Sequence, residues 1–189
     1  AARAEMDPRI FRQEYEASFE TLQGRIYDNF EPSIHVRECE DVGGELLVGM
    51  DFNVHPMSAV LGVRAGDELH ILDALEIPTS NTDEMAEEIR TRYPDRQVIV
   101  CPDPSGRSRR TSARGRTDFT ILEQAGFYVD APNSAPFVKD RINAVQTLLK
   151  NAEGRARFVV HPRAEALIRA LRGHTYKDGT SLPDKTQGF

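Results

Sequence analysis

The sequence predicts a mixed α/β domain whose central sheet begins with three antiparallel strands, continues as an alternation of helices and strands, and is flanked by helices. Three observations carry this. Three β-type runs, 45–53, 57–64 and 69–77, are joined by links short enough to imply antiparallel neighbours. From Thr82 onward the apolar residues change to helical spacing and then alternate with short buried runs. Finally, an apolar strand-like run holds one aspartate, Asp51, and another run ends at a second, Asp103, 52 positions later.

Each element has a local reason. Asp7 and Pro8 form a helix start, and Ile10, Phe11, Tyr15 and Phe19 follow near helical spacing, giving an acidic lead-in helix that ends about Gly24. The three strands follow, linked through Pro56 and through Arg64-Ala65-Gly66-Asp67. Thr82 is the expected cap of a helix over 83–93, with Met85, Ala86, Ile89 and Tyr93 on one face. A buried strand is expected over 97–102, a helix around 119–125, a short strand over 127–131, a helix over 139–151, a strand over 158–161 and a helix over 163–171.

A chain of 189 residues, 39% hydrophobic, without repeats or low-complexity tracts, is long enough for one well-buried domain plus a short extension. Its apolar runs are interrupted well before about 18 residues, so it reads as soluble and untargeted, with no membrane partner. Cys39 and Cys101 lack metal-site spacing and read as reduced thiols of a cytosol-like compartment. The net charge of −6 is uneven: residues 1–45 hold 5 Arg and 11 Asp/Glu, and the remainder holds 19 Lys/Arg against 19 Asp/Glu. In that neutral remainder, 105–116 carries Arg107, Arg109, Arg110, Arg114 and Arg116 without one acid. A solvated loop accounts for most such runs. Beside a carboxylate site, however, cationic neighbours are what a polyanion needs in order to stay.

An unpaired carboxylate in a dry interior costs several kcal/mol, so two at core strands point to a compensating cation. The local alternative has Asp51 closing a strand by bonding backbone N–H groups, and Asp103 opening an Asp103-Pro104-Ser105-Gly106 turn. The element order is that of a ribonuclease H-like domain, in which the first strand can pair with the fourth and set the two aspartates side by side. Hard oxygen donors favour Mg²⁺ or Mn²⁺ over zinc. Two such ions about 3.5 to 4 Å apart are the arrangement that hydrolyses phosphodiesters.

Five segments in one order resemble a known family: Asp7-Pro8-Arg9-Ile10-Phe11-Arg12-Gln13-Glu14-Tyr15-Glu16-Ala17-Ser18-Phe19; Gly49-Met50-Asp51-Phe52-Asn53 with Pro56-Met57; Asp103-Pro104-Ser105-Gly106; Lys139-Asp140-Arg141-Ile142-Asn143-Ala144-Val145; and Val160-His161-Pro162. Together they resemble the nuclease half of the large terminase subunits of tailed bacteriophages. The resemblance implies a metal-dependent endonuclease that cuts double-stranded DNA during genome packaging in the cytoplasm of the infected bacterium, with Asp51 and Asp103 as catalytic metal ligands. It implies that residues 1–40 are the link from an ATPase domain and that 41–189 are the nuclease. The phosphate-binding Gly-x-x-x-x-Gly-Lys-Ser/Thr loop of such an ATPase does not occur in this sequence. It further implies the small terminase subunit and the portal protein as partners.

The family pattern includes a third carboxylate in a late His-x-x-Asp-Ala-x-x-Tyr helix, and this sequence ends at Lys185-Thr186-Gln187-Gly188-Phe189 without one. Asp140 and Asp184 are the acids that stand in, although Asp140 reads as a helix cap and Asp184 as part of a flexible tail. Asn53 and His55 are candidates for the surroundings of the metals, and Lys139 and Arg141 for phosphate contact. Other readings stay open: a resolvase- or transposase-like nuclease of the same fold, a sugar-kinase-like phosphotransferase, disfavoured because Phe52-Asn53-Val54-His55-Pro56 offers no phosphate-cradling turn, and a non-catalytic domain docking DNA or a partner.

Overall fold

A computed structural model describes residues 24–53, 55–107 and 116–187, without the side chains of Ser105, Arg107 and Gln187. The expected lead-in helix lies outside the described residues. In chain order the elements are α1 (Pro32–His35), β1 (Leu46–Asp51), β2 (Met57–Ala65), β3 (Glu68–Ile77), α2 (Thr82–Arg92), β4 (Val98–Pro102), a 3₁₀ turn (Pro104–Arg107), α3 (Asp118–Gln124), β5 (Tyr128–Val129), α4 (Val138–Leu149), β6 (Phe158–Val160), α5 (Glu165–Gly173) and a last 3₁₀ turn (Lys185–Gln187). Six strands form one sheet in the order β5-β4-β1-β2-β3-β6. β1 runs antiparallel to β2 and parallel to β4, and β4 runs parallel to β5. The α/β class and the β1–β4 pairing expected from the sequence are both present.

The chain divides into two compact units. One comprises Glu40–Gly66 and His70–Ala135. Its core is the strand face carrying Leu46, Val48, Met50, Leu61, Val98 and Val100, with Met85 and Ile89 of α2 and Leu122 of α3 also buried. Alternation explains the sheet: along β1, Leu46, Val48 and Met50 are buried while Gly49 and Asp51 are exposed. The cap of α2 is Asn81, whose side chain accepts from the Glu84 N–H at 3.0 Å, and not Thr82 as expected. The Thr82 hydroxyl instead donates to the buried Asp118 carboxylate over 2.6 Å, which ties α2 to α3. Arg90 strengthens that corner by donating to the carbonyls of Ala125 and Gly126 while its guanidinium lies 4.6 Å from the centre of the Phe127 ring.

The other unit is formed by described residues up to Cys39, by Asp67–Leu69 and from Pro136 onward. Phe30 and His35 are buried there, and their rings stack at 5.4 Å. The His35 Nε2 donates to the Leu149 carbonyl at 2.8 Å and Nδ1 accepts from the Glu31 N–H at 3.0 Å, which one neutral tautomer satisfies. Gln146 donates to the Ile26 carbonyl and to Asp28, both at 2.8 Å, fastening α4 to the entering chain. Two expectations are corrected here. Asp140 does not cap α4, because the helix begins one residue after Phe137 and carries no side-chain cap. Asp184 does not sit in a loose tail: its N–H donates to the Thr175 carbonyl, and its carboxylate accepts from the Thr186 N–H and hydroxyl at 2.9 and 2.8 Å. Those bonds, the backbone one foremost, hold its carboxyl below the usual range.

Candidate metal centre

The parallel register of β1 and β4 decides the geometry. Gly49 faces Cys101 and Met50 faces Pro102; Asp51 is the last residue of β1, and Asp103 is the first residue past β4. Neighbouring strands lie about 4.8 Å apart, and alternation puts Asp51 on the face of Gly49, opposite the core face of Met50. This corrects one expectation. Asp51 is exposed and Asp103 is half-buried, so neither is a charge sunk in a dry core. They stand at the carboxyl ends of two central strands, where open α/β sheets bind their ligands.

Local chemistry holds the Asp51 carboxylate and the turn after Asp103. Asn53, just past β1, donates its side-chain amide to Asp51 Oδ2 over 2.7 Å. The Asp103 carbonyl accepts from the Gly106 N–H at 3.2 Å, closing the expected turn as a short 3₁₀ segment. His55 Nδ1 faces the Pro78 carbonyl at 3.1 Å and the Thr79 hydroxyl at 3.4 Å. A proton on Nδ1 satisfies that carbonyl and leaves the Nε2 lone pair on the other side of the ring.

Of the five expected DNA-contacting arginines, Arg109, Arg110 and Arg114 lie outside the described residues, and only the backbone of Arg107 is described. Arg116 is already engaged, 3.3 Å from Asp83 Oδ2 and 3.2 Å from Gln124 Oε1. Lys139 is exposed, and with Arg141, Asp140 and Asp184 it belongs to the other unit. His161 makes structural bonds there, 2.7 Å from Glu38 through Nε2 and accepting the Arg163 N–H through Nδ1.

Sequence reasoning missed two features. The ring of Phe52, next to Asp51, packs with that of Phe119 at 6.2 Å, with Gly106 against both. Asp130, one residue past β5, is near enough to Cys101 for its charge to act on the thiol. Burial first, and the Asp130 charge second, push the Cys101 thiol up, against the opposing pull of Arg64. Strand register was the signal available for the second feature; nothing local signals the first.

The donor set suits a hard divalent cation, since it consists of carboxylate oxygens accessible to solvent. Among the described residues no group of three or more His, Cys, Asp or Glu side chains is arranged to hold a metal.

The terminase RNase H-like domain family matches residues 48–187, a span that includes both aspartates, the turn and the arginine run. The chain belongs to this family. The large terminase subunit of Escherichia phage T5 is 29% identical over 93% of this chain and 40% of its own length, so the chain spans well under half of that relative. Among solved structures, the large terminase of a thermophilic bacteriophage matches with a TM-score of 0.72 at 20% identity, covering 93% of this chain and 45% of the other. The P22 large terminase nuclease domain matches at 0.64 and 18% identity, covering 86% and 84%. The large terminase nuclease domain of bacteriophage SPP1, solved with bound Mn, matches at 0.53 and 13% identity, covering 87% and 88%. The fold of this terminase-family chain is thus that of the RNase H-like nuclease domains.

Proposed function

We propose that the chain is the nuclease domain of a phage large terminase, an endonuclease that hydrolyses double-stranded DNA with divalent cations held by Asp51 and Asp103. The register that sets Met50 opposite Pro102, each one residue before an aspartate, is the observation that supports the reading. Asp51 and Asp103 would hold Mg²⁺ or Mn²⁺, as two ions, which would supply an activated water and positive charge for phosphodiester hydrolysis. The chain's own residues hold and orient. Asp51 and Asp103 supply the anionic oxygens, Asn53 fixes one Asp51 oxygen, and the arginines of 107–114 with Lys139 draw the DNA backbone without reading its bases.

Residues 1–40 are proposed as the link from an ATPase domain of the same protein, and the small terminase subunit and portal protein as partners in the host cytoplasm. The match to under half of the T5 subunit supports a multidomain parent. No helix among the described residues is long and apolar enough to cross a membrane.

The test is plasmid nicking with Mn²⁺. Asp51→Asn and Asp103→Asn are each expected to abolish it while the fold persists. Without metal both variants should be at least as stable as wild type, because one of two neighbouring like charges is gone. Nicking that survives EDTA, or a large loss of thermal stability in both variants, overturns the reading.

A further inference from the structure

We infer that Gly106 is a positioning residue of the metal centre, acting through a clasp in which the Phe52 and Phe119 rings close on its bare backbone. The proposal rests on the metal-centre reading above and adds a residue that no carboxylate argument selects.

A Cβ at Gly106 would collide with Phe52 Cε2, and it would stand 2.6 Å from Phe119 Cε1 and 2.9 Å from Phe119 Cδ1. Real contacts do not come so close, so adding one methyl group forces something to move. The Phe52 ring has little freedom to give way. Phe52 is 4% exposed, and its backbone lies between Asp51 and Asn53, the carboxylate and the amide that orients it. Displacing Phe52 therefore displaces one side of the site. Displacing the turn instead moves the other, because the Gly106 N–H is bonded to the Asp103 carbonyl. Either adjustment changes the separation of the two carboxylates.

Manganese alone is the probe, titrated into the 189-residue chain and followed by the electron paramagnetic resonance of free Mn²⁺. Gly106→Ala is expected to weaken binding about 10- to 100-fold, the range seen when residues that orient metal ligands are changed. Phe119→Leu, which loosens the clasp without a clash, should shift binding the same way. Leu122→Ala is the control: it empties a fully buried position on the same helix as Phe119 and lowers the melting temperature, yet should leave Mn²⁺ affinity within about twofold. If Gly106→Ala does not fold, Phe119→Leu decides. Wild-type affinity in the folded variants, or an equal loss in Leu122→Ala, overturns the positioning role. Failure of the wild-type chain to bind Mn²⁺ overturns the metal-centre reading instead, so the two failures are distinguishable.

Discussion

The amide of Asn53 donates to Asp51 Oδ2 at 2.7 Å, two residues further along the chain and on an exposed surface. Such a bond contributes little to folding, yet it selects the rotamer in which the carboxylate waits. Asn53→Ala is therefore expected to change stability by no more than about 0.5 kcal/mol and to weaken Mn²⁺ binding about tenfold or more. Chemical denaturation and metal titration of one preparation check the two halves separately.

Arg116 and Arg109 should behave differently although both sit in the same basic run. Arg116 is occupied by Asp83 and Gln124, with the Arg116 side chain 40% and the Asp83 side chain 56% exposed. Arg116→Ala should cost under about 1 kcal/mol of stability and leave the salt dependence of DNA binding nearly unchanged. Replacing Arg109 and Arg110 by Ala should flatten the slope of log affinity against log salt by up to about 2 and weaken binding equally on unrelated duplexes. Fluorescence anisotropy across a salt series measures both. An unchanged slope in the double variant would move the DNA path elsewhere, beginning with Lys139 and Arg141.

Thr82→Val should destabilise the protein by about 1.5 to 3 kcal/mol, since it deletes the 2.6 Å donor to the buried Asp118 carboxylate while keeping side-chain volume. Urea denaturation reads the loss. An unchanged midpoint would mean that this bond does not contribute to the joining of α2 and α3.

Cys101 offers a pH prediction. Its thiol is raised above the ordinary value of 9.0, by burial first and by the Asp130 charge second. The fold thus favours the protonated thiol. The associated stability is fully present below about 9 and is lost as pH climbs through the raised value. In a Cys39→Ser background, alkylation by iodoacetamide at pH 8 should be slow, and Asp130→Asn should accelerate it. A variant no faster than its parent would rule out the Asp130 contribution.

Legibility in the sequence followed the range of the interactions. The strands and helices were readable because alternation and helical spacing are local, and the β1–β4 pairing followed from their order. Asp51 was misjudged as a core charge because the run Leu46-Leu47-Val48-Gly49-Met50-Asp51 is apolar as a string, while the pleat turns Gly49 and Asp51 outward. The cap of α2 fell one residue early because the Thr82 hydroxyl is claimed by Asp118, 36 positions away. The pairing of Arg116 with Asp83 was not legible because Asp83 lies 33 positions upstream. The Phe52, Gly106 and Phe119 clasp draws on three separate segments, and none of them announces it.

The parallel pairing of β1 with β4 also bears on the order in which the protein acquires its chemistry. β1 and β2 join through a short link, a contact between chain neighbours that closes quickly. Bringing Asp103 to Asp51 requires a loop of about fifty residues to close, and the entropy of that closure is lost before any pairing repays it. A chain that has folded only its opening meander holds one carboxylate of the pair. Asp51 and Asp103 are thus brought near one another only once β4 has joined the sheet, late in the chain's folding rather than with its opening meander.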